Sequence, residues 1–429
     1  MELEERRVSV DQLTIGMYVS GLDRPWIETP FLMQGFVVRT QQEIDTLQRY
    51  CDYVIIDVAK GRPAEEYMES LPSSVLRAAQ RRRATVETRG RQAERRKFME
   101  RQLLARQVAY QDTVPMEKEV PAAREVHGQV AELSKTILSD IRAGHKLDVG
   151  RVNKIVQPML ESILRNMDAF FWISQLRRQG EEAYEHAINC CALAIAFGRH
   201  LGFPESVLRT LGVGGLLFDV GAVGPPGAAF AAPNALSEDQ ARAVREHVMS
   251  SLTLLRDSPD LNSEVLVMVR SHHERHDGSG QPDGLAGNDI PLFGRMLAII
   301  DTYDALSSRR ANGMPQTPHA ALQSLYRWRH SLFQKELVEQ FLQCLGVYPT
   351  GSLVELVTGE VGIVMAQNEA RRLRPKVMML LGPDKKPYPR YKVVDLMDQP
   401  EDINATGQID IVHSLEAGAY GISSTELYL

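Results

Sequence analysis

The chain has 429 residues, 44% of them hydrophobic and 24% charged, with a formal net charge of −6. This is ordinary globular composition, with room for two or three domains and a sizeable core. The acidic balance excludes a global basic field that recruits DNA, and no apolar run approaches the roughly 20 residues that span a bilayer.

The opening MELEERRVSV is charged and lacks the apolar core of a secretory signal. The expectation is a cytoplasmic protein. Cys51, Cys190, Cys191 and Cys344 offer no CxxC spacing, so they read as buried small hydrophobes in a reducing compartment.

Residues 7 to about 60 read as a small, mostly β unit. GMYVSGL, GFVVRT and DYVIIDVAKG are short β-rich runs, and QQEIDTLQRYC reads as a helix. The unit carries no evident catalytic set, so residues 1–62 are assigned to a small regulatory domain. Residues 63–120 form an arginine-rich linker or helix, with Arg81, Arg82, Arg83, Arg95, Arg96 and Lys97. A solvated surface accounts for this run, since no aromatics interleave for base stacking.

Residues 121–180 read as a helical connector. Val126, Val130, Leu133, Ile137 and Ile141 make one apolar stripe. A second helix is expected from Val149 to Leu176, with Ile155, Met159, Ile163, Met167 and Phe170 on one face and Asp148 as its N-cap. Pro158 should kink or interrupt it. Further helices are expected around 182–201, 205–217, 237–256, 260–273, 290–309, 316–329 and 335–345. The fold class is therefore mainly α: a helical core over 181–346, preceded by a small α+β domain. LVELVTGEVGIVMAQ and KVMMLLG predict a small β appendage over 347–395, followed by a tail over 396–429.

Within the helical core, His186, His247, His272, His273 and His276 accompany Glu182, Asp219, Asp277, Asp301 and Asp304. Imidazole with carboxylate suits Fe, Mn, Zn or Ni better than Mg alone. Two such ions about 3.5–4 Å apart can clamp a phosphate. The strongest local signal is SHHERHDGSGQPDGLAGNDIP, in which adjacent histidines close an apolar helix. His272 and His273 differ by about 100° on a helix, so both reach one cluster only near its end. Glu182 and His186 share a helix face. Asp301 and Asp304 on an apolar helix call for a partner.

With these motifs in hand, the sequence resembles the HD-GYP family, metal-dependent phosphodiesterases of cyclic di-GMP, over roughly residues 150 to 365. HHERHDGSGQPDGLAGNDIP, DTYDALSSRR and FLQCLGVYPTGSLVELVTGEVGIV occur in family order. The resemblance implies an all-helical HD-type metallohydrolase core that cuts cyclic di-GMP to pGpG or GMP. It implies metal ligation by His186, Asp219, His247, His272, His273 and Asp301, with Glu182 as the extra ligand of three-metal members. By the same resemblance Asp219 is expected to be the bridging, catalytic carboxylate, and Arg310 to approach substrate phosphate. The residues at 7–60 look like the domain of unknown function that commonly precedes such cores.

The sequence also departs from the family. Phe218 stands for the histidine of the HD pair and Ala222 for a lysine that contacts phosphate. Gln281 stands for the tyrosine of GYP, and Gly313 for a second basic residue. One or two divalent transition metals (Fe, Mn or Ni) are expected, with incomplete occupancy. The expected function is cyclic di-GMP signalling with impaired turnover, the protein acting as a nucleotide- and metal-binding sensor or interaction module. The alternatives are a phosphodiesterase that still works and a scaffold for diguanylate cyclases or other signalling proteins. The stripes over 121–176 also suit a homodimer.

Overall fold

The computed structural model describes residues 5–24, 35–57, 100, 103, 107–177, 183–222, 237–258, 260–308, 315–368, 371–398 and 410–422. The chain divides into two compact units, Met1–Glu94 and Arg95–Leu429.

In the first unit, β1 (Glu5–Ser9), β2 (Tyr18–Leu22), β3 (Phe36–Val37) and β4 (Tyr53–Asp57) form an antiparallel sheet in the order β1-β4-β2-β3. Helix α1 (Gln41–Tyr50) opens with a capping box, Thr40 accepting from the Glu43 N–H while Glu43 reaches back to the Thr40 N–H. Ile44 and Leu47 of α1 pack with Val19, Val54 and Ile56 of the sheet. Strand β1 escapes the sequence reading because ERRVS is mostly charged. It exists through its ladder with β4, Val8 opposite Val54. Most of the arginine-rich run lies outside the described residues.

The second unit is helical first and β last. Its helices are α2 (Met116–Arg142), α3 (Val149–Arg165), α4 (Met167–Arg177), α5 (Ala183–His200), α6 (Glu205–Leu217), α7 (Glu238–Arg256), α8 (Ser263–Ser271), α9 (Leu292–Ser307), α10 (Pro318–Trp328) and α11 (Lys335–Leu345). Helix α2 starts at Met116, before the expected 121. Asp148 caps α3 as expected, accepting from the Arg151 N–H at 3.2 Å.

The expected break at Pro158 is corrected. Pro158 sits inside α3, and the chain turns at Asn166 instead. The Asn166 N–H closes α3 on the Ser162 carbonyl. Its side chain donates to Asp112 and Val114, and accepts from the Ala169 N–H that opens α4. Asn166 thus closes α3 with its backbone N–H and caps α4 with its side-chain oxygen. The proline's cost of about 3 kcal/mol is outweighed by burial of Val152, Ile155, Val156, Met159, Leu160 and Ile163 along the same helix.

Buried Glu119 of α2 clamps the bundle to α3. It accepts two bonds of 2.8 Å from Arg165 and one of 2.9 Å from Ser162. Helix α5 is the central element, with Cys190, Cys191, Ala192, Ala194, Ile195, Ala196 and Phe197 fully buried. All four cysteines are free and buried.

The β appendage does not end near 395. Strands β5 (Leu353–Leu356), β6 (Val361–Ala366), β7 (Lys376–Leu381), β8 (Pro387–Asp395) and β9 (Ile411–Leu415) form one antiparallel sheet in the order β8-β7-β6-β5-β9. The expected tail contributes β9, with Leu415 opposite Leu353. Asp168 at the start of α4 ties this sheet to the helices by accepting from Thr350 Oγ1 (2.6 Å) and the Gln367 N–H (2.9 Å). Among the described residues, no helix is long and apolar enough to cross a membrane.

Candidate metal centre

Five elements deliver one cluster of donors. His186 comes from α5, Asp219 from just past the end of α6, and His247 from α7. His272 and His273 come from the end of α8, and Asp301 and Asp304 from α9. His272 is the C-cap residue of α8, so the two adjacent histidines converge where the helix axis stops constraining them.

Gly221 sets the spacing between Asp219 and His247. A Cβ there would lie 2.3 Å from the Ser251 backbone nitrogen of α7, and the Gly221 N–H bonds Ser251 Oγ at 2.9 Å. Gly280 allows the loop after α8 to fold back on itself, since a Cβ would lie 2.3 Å from the Arg275 nitrogen. The Gln281 N–H then donates to the His273 carbonyl. The Gln281 side chain, at the position expected to be tyrosine, accepts from Arg245 at 3.0 Å.

The first half of the centre contains Asp219, His247, His272 and His273. His247 Nε2 lies 3.3 Å from His272 Nε2 and 3.2 Å from His273 Nε2. Asp219 Oδ1 lies 3.3 Å from both His247 Nε2 and His272 Nε2. Metal bonds of about 2.0–2.2 Å separate neighbouring donors by about 3.0–3.5 Å, so these spacings suit a single cation. His272 Nδ1 lies 2.7 Å from the Val269 carbonyl. It therefore donates there, which leaves Nε2 as a bare lone pair facing the cluster.

The second half contains His186, Asp219 and Asp301. His186 Nδ1 is held by Asp304 at 2.7 Å. Its Nε2 faces Asp219 Oδ2 at 3.6 Å and Asp301 Oδ1 at 3.5 Å. Cys190 Sγ stands 3.4 Å behind the His186 Nδ1.

Phe218 separates the halves. It is 1% exposed and sits edge-on to both His186 (5.4 Å) and His272 (4.8 Å). The space bounded by Phe218, His186, Asp219, Ala222 and Arg142 is a cavity of about 10 Å³, room for about one water. Arg142 reaches its rim from α2, its Nε donating to the Val220 carbonyl at 3.3 Å.

The donor set fits a cation. Both Asp219 oxygens are buried and face imidazole nitrogens at 3.3–3.6 Å, and a buried carboxylate is costly without a positive partner. Burial would push its carboxyl up, but the close imidazoles of His186, His247 and His272 hold it well below the usual range. Burial and the neighbouring His272, His247 and Arg275 charges push His273 well down, so it keeps a neutral, ligating form. For His247 burial opposes the proton, but Asp219 beside it raises the pKa.

Six of the seven expected ligand positions are thus brought together. Glu182, the seventh, and the expected phosphate contact Arg310 lie outside the described residues, as does Gly313. His276 and Asp277 stay out of the cluster. The His276 N–H bonds the Leu332 carbonyl, and Asp277 turns the chain by accepting from Ser279.

Two roles went unassigned in the sequence. Asp304 orients His186, and the three-residue spacing in DTYD was its signal. Glu274 of HHE accepts from the Asp283 and Leu285 N–H groups at 2.7 and 2.9 Å, pinning the loop that follows the histidines. Nothing in its local sequence announced this.

Fold and site together define a helical metallohydrolase-type protein with a paired candidate centre. Residues 159–337 match the model described as HD domain, and residues 5–152 match Domain of unknown function (DUF3391). The helical part of the chain thus matches an HD domain, and the resemblance to the HD-GYP family is borne out at the level of that domain and its relatives.

The chain is 28% identical over 413 residues to Cyclic di-GMP phosphodiesterase PA4108 of Pseudomonas aeruginosa, covering 96% of this chain and 92% of that one. It is 34% identical over 171 residues to the Cyclic di-GMP phosphodiesterase response regulator RpfG of Xanthomonas campestris pv. campestris, covering 39% of this chain and 44% of that one. A solved structure, Bd1817, a HDG"Y"P protein from Bdellovibrio bacteriovorus, aligns over 79% of this chain and 98% of its own at 14% identity, with a TM-score of 0.44.

Proposed function

We propose that this protein is a cyclic di-GMP signalling protein whose HD domain holds one divalent transition metal firmly, binds the dinucleotide and turns it over poorly. The observation that carries the reading is Phe218. A buried apolar ring occupies the position between His186 and His272, so the second half keeps three donors where the first has four. Ala222, beside the same small cavity, removes a cation from the region where a phosphate gains charge. Loss of one electrostatic stabiliser costs about 10²–10³ in rate, and paired losses act together rather than additively.

In this reading Asp219, His247, His272 and His273 hold the metal, which is iron, manganese or nickel. When bound it supplies Lewis-acid polarisation of a phosphoryl oxygen. Arg310 contacts phosphate, Asp301 and His186 hold a weaker second position with Glu182, and Asp304 keeps the His186 lone pair turned inward. The relatives named above, phosphodiesterases of cyclic di-GMP, supply the substrate class. Residues 1–62 act as the regulatory unit in this reading.

A second reading, an active phosphodiesterase giving pGpG or GMP, is favoured by the intact His186–Asp304 pair. A side chain still oriented toward Asp219 and Asp301 is what a second metal position needs. Metal content, nucleotide binding and hydrolysis, measured on one batch purified under low oxygen with iron and manganese supplied, separate the two. One metal, binding and only slow product formation are expected. Two metals with product formation overturn the proposal in favour of the enzyme.

A further inference from the structure

Helix α2 ends beside the second half of the metal centre. Its buried Leu138 and Ile141 pack into the helical core, and the Glu119 clamp ties the same helix to α3. Arg142 follows Leu138 by four residues, so the two share a helix face. Both stand on the wall of the small cavity that His186, Phe218, Asp219 and Ala222 also bound. The Arg142 Nε donates to the Val220 carbonyl at 3.3 Å. That bond sets the guanidinium beside the backbone that joins Asp219 to Ala222.

The guanidinium has charge and donors left over. Arg142 is exposed. Among the described residues no carboxylate pairs with it, and the Val220 carbonyl is the acceptor it reaches. Other arginines of the bundle are paired: Arg151 with Asp140, Arg165 with Glu119 and Arg199 with Asp112. A helix C-terminus favours a cation, but that effect does not require a bond across to the end of another helix.

The place it takes is short of a cation. Ala222 offers none, and the cavity, at about 10 Å³, holds about one water and not a phosphate. A phosphate therefore meets this side of the centre at the rim, where the guanidinium stands. A guanidinium with free N–H groups holds phosphate oxygens through forked, charge-assisted bonds. It also stays protonated at all working pH, so it grips a phosphate without passing a proton. That suits a site that binds well and cuts poorly.

We infer that Arg142 is the cation that holds a phosphate of cyclic di-GMP beside Asp219, in place of a side chain at position 222. The inference rests on the function proposed above and gives its binding step a residue from outside the HD-domain match.

The test is calorimetric titration of cyclic di-GMP into the full-length, metal-loaded protein and its Arg142→Gln, Arg142→Lys and Arg142→Gln with Ala222→Lys variants. Glutamine keeps an N–H donor for the Val220 carbonyl and removes the charge. Arg142→Gln is expected to weaken binding at least about tenfold through loss of charge-assisted bonds, with melting temperature and metal content unchanged. Arg142→Lys is expected to fall between, since an ammonium lacks the fork. Adding Ala222→Lys to Arg142→Gln is expected to restore most of the affinity. Added salt is expected to weaken wild type more than Arg142→Gln. Binding by wild type that is unchanged in Arg142→Gln overturns this inference alone. So does loss of metal from Arg142→Gln, which makes Arg142 a support of the centre rather than a contact to substrate. No binding by wild type overturns the proposed function and this inference with it.

Discussion

The two halves of the metal centre share Asp219 and differ in what surrounds it. One half gathers three imidazoles with nitrogens 3.2–3.3 Å apart. The other has one imidazole and two carboxylates, and the Phe218 ring borders both. In both halves the orienting contact behind a histidine is intact: the Val269 carbonyl behind His272 and the Asp304 carboxylate behind His186. The comparison sets two donor groups of different size around one carboxylate. The Phe218 ring adds no polar atom that would need a partner of its own, and a buried apolar group is far cheaper than a stranded polar one.

The largest effect belongs to the shared residue. Asp219→Ala is expected to empty both halves, lowering metal affinity by more than about 100-fold, since even outer-shell partners are worth 10–100-fold. Metal analysis of the purified variant checks this, and retention of one full equivalent breaks the idea of a shared bridge.

Making the halves alike comes next. Phe218→His with Ala222→Lys is expected to raise cyclic di-GMP hydrolysis by about 10²–10³-fold. No gain with two metals bound would mean that the obstruction lies elsewhere. Asp304→Ala is expected to lower affinity at the second position by about 10–100-fold and leave the first unchanged, which stepwise metal titration resolves.

The smallest effect on the centre comes from a carboxyl outside it. Burial pushes Asp168 up to about 6 from 3.8, against the lowering bonds from Thr350 and Gln367. The folded chain therefore holds this proton more tightly than the unfolded one. Its contribution to stability is fully present below about pH 4, falls as pH rises from about 4 to 6, and is gone above that. Asp168→Asn is expected to flatten this dependence by about 3 kcal/mol while leaving metal affinity unchanged. Thermal melts between pH 4 and 7 test both points.

The long amphipathic helices were legible because their apolar spacing is local: Glu205–Leu217, Glu238–Arg256 and Lys335–Leu345 lie within a residue or two of their expected spans. The histidines were legible because their type and clustering have little other use in an apolar core. Strands β1 and β9 were not legible, because ERRVS and IVHSL carry little periodicity and exist through backbone pairing with β4 and β5. The break at Asn166 rather than Pro158 was not legible either, since it depends on Asp112 and Val114, more than fifty residues away.

The sequence by itself determined the helical class and the six histidine and aspartate positions that converge, since residue type and spacing are properties of the chain. Only the tertiary structure decided which donors lie within reach of one another, which carboxylate turns His186 inward, and that Phe218 is wedged between two imidazoles. Those outcomes are distances between segments far apart in the chain, set by packing at close approaches such as Gly221 against α7, and no local pattern encodes them.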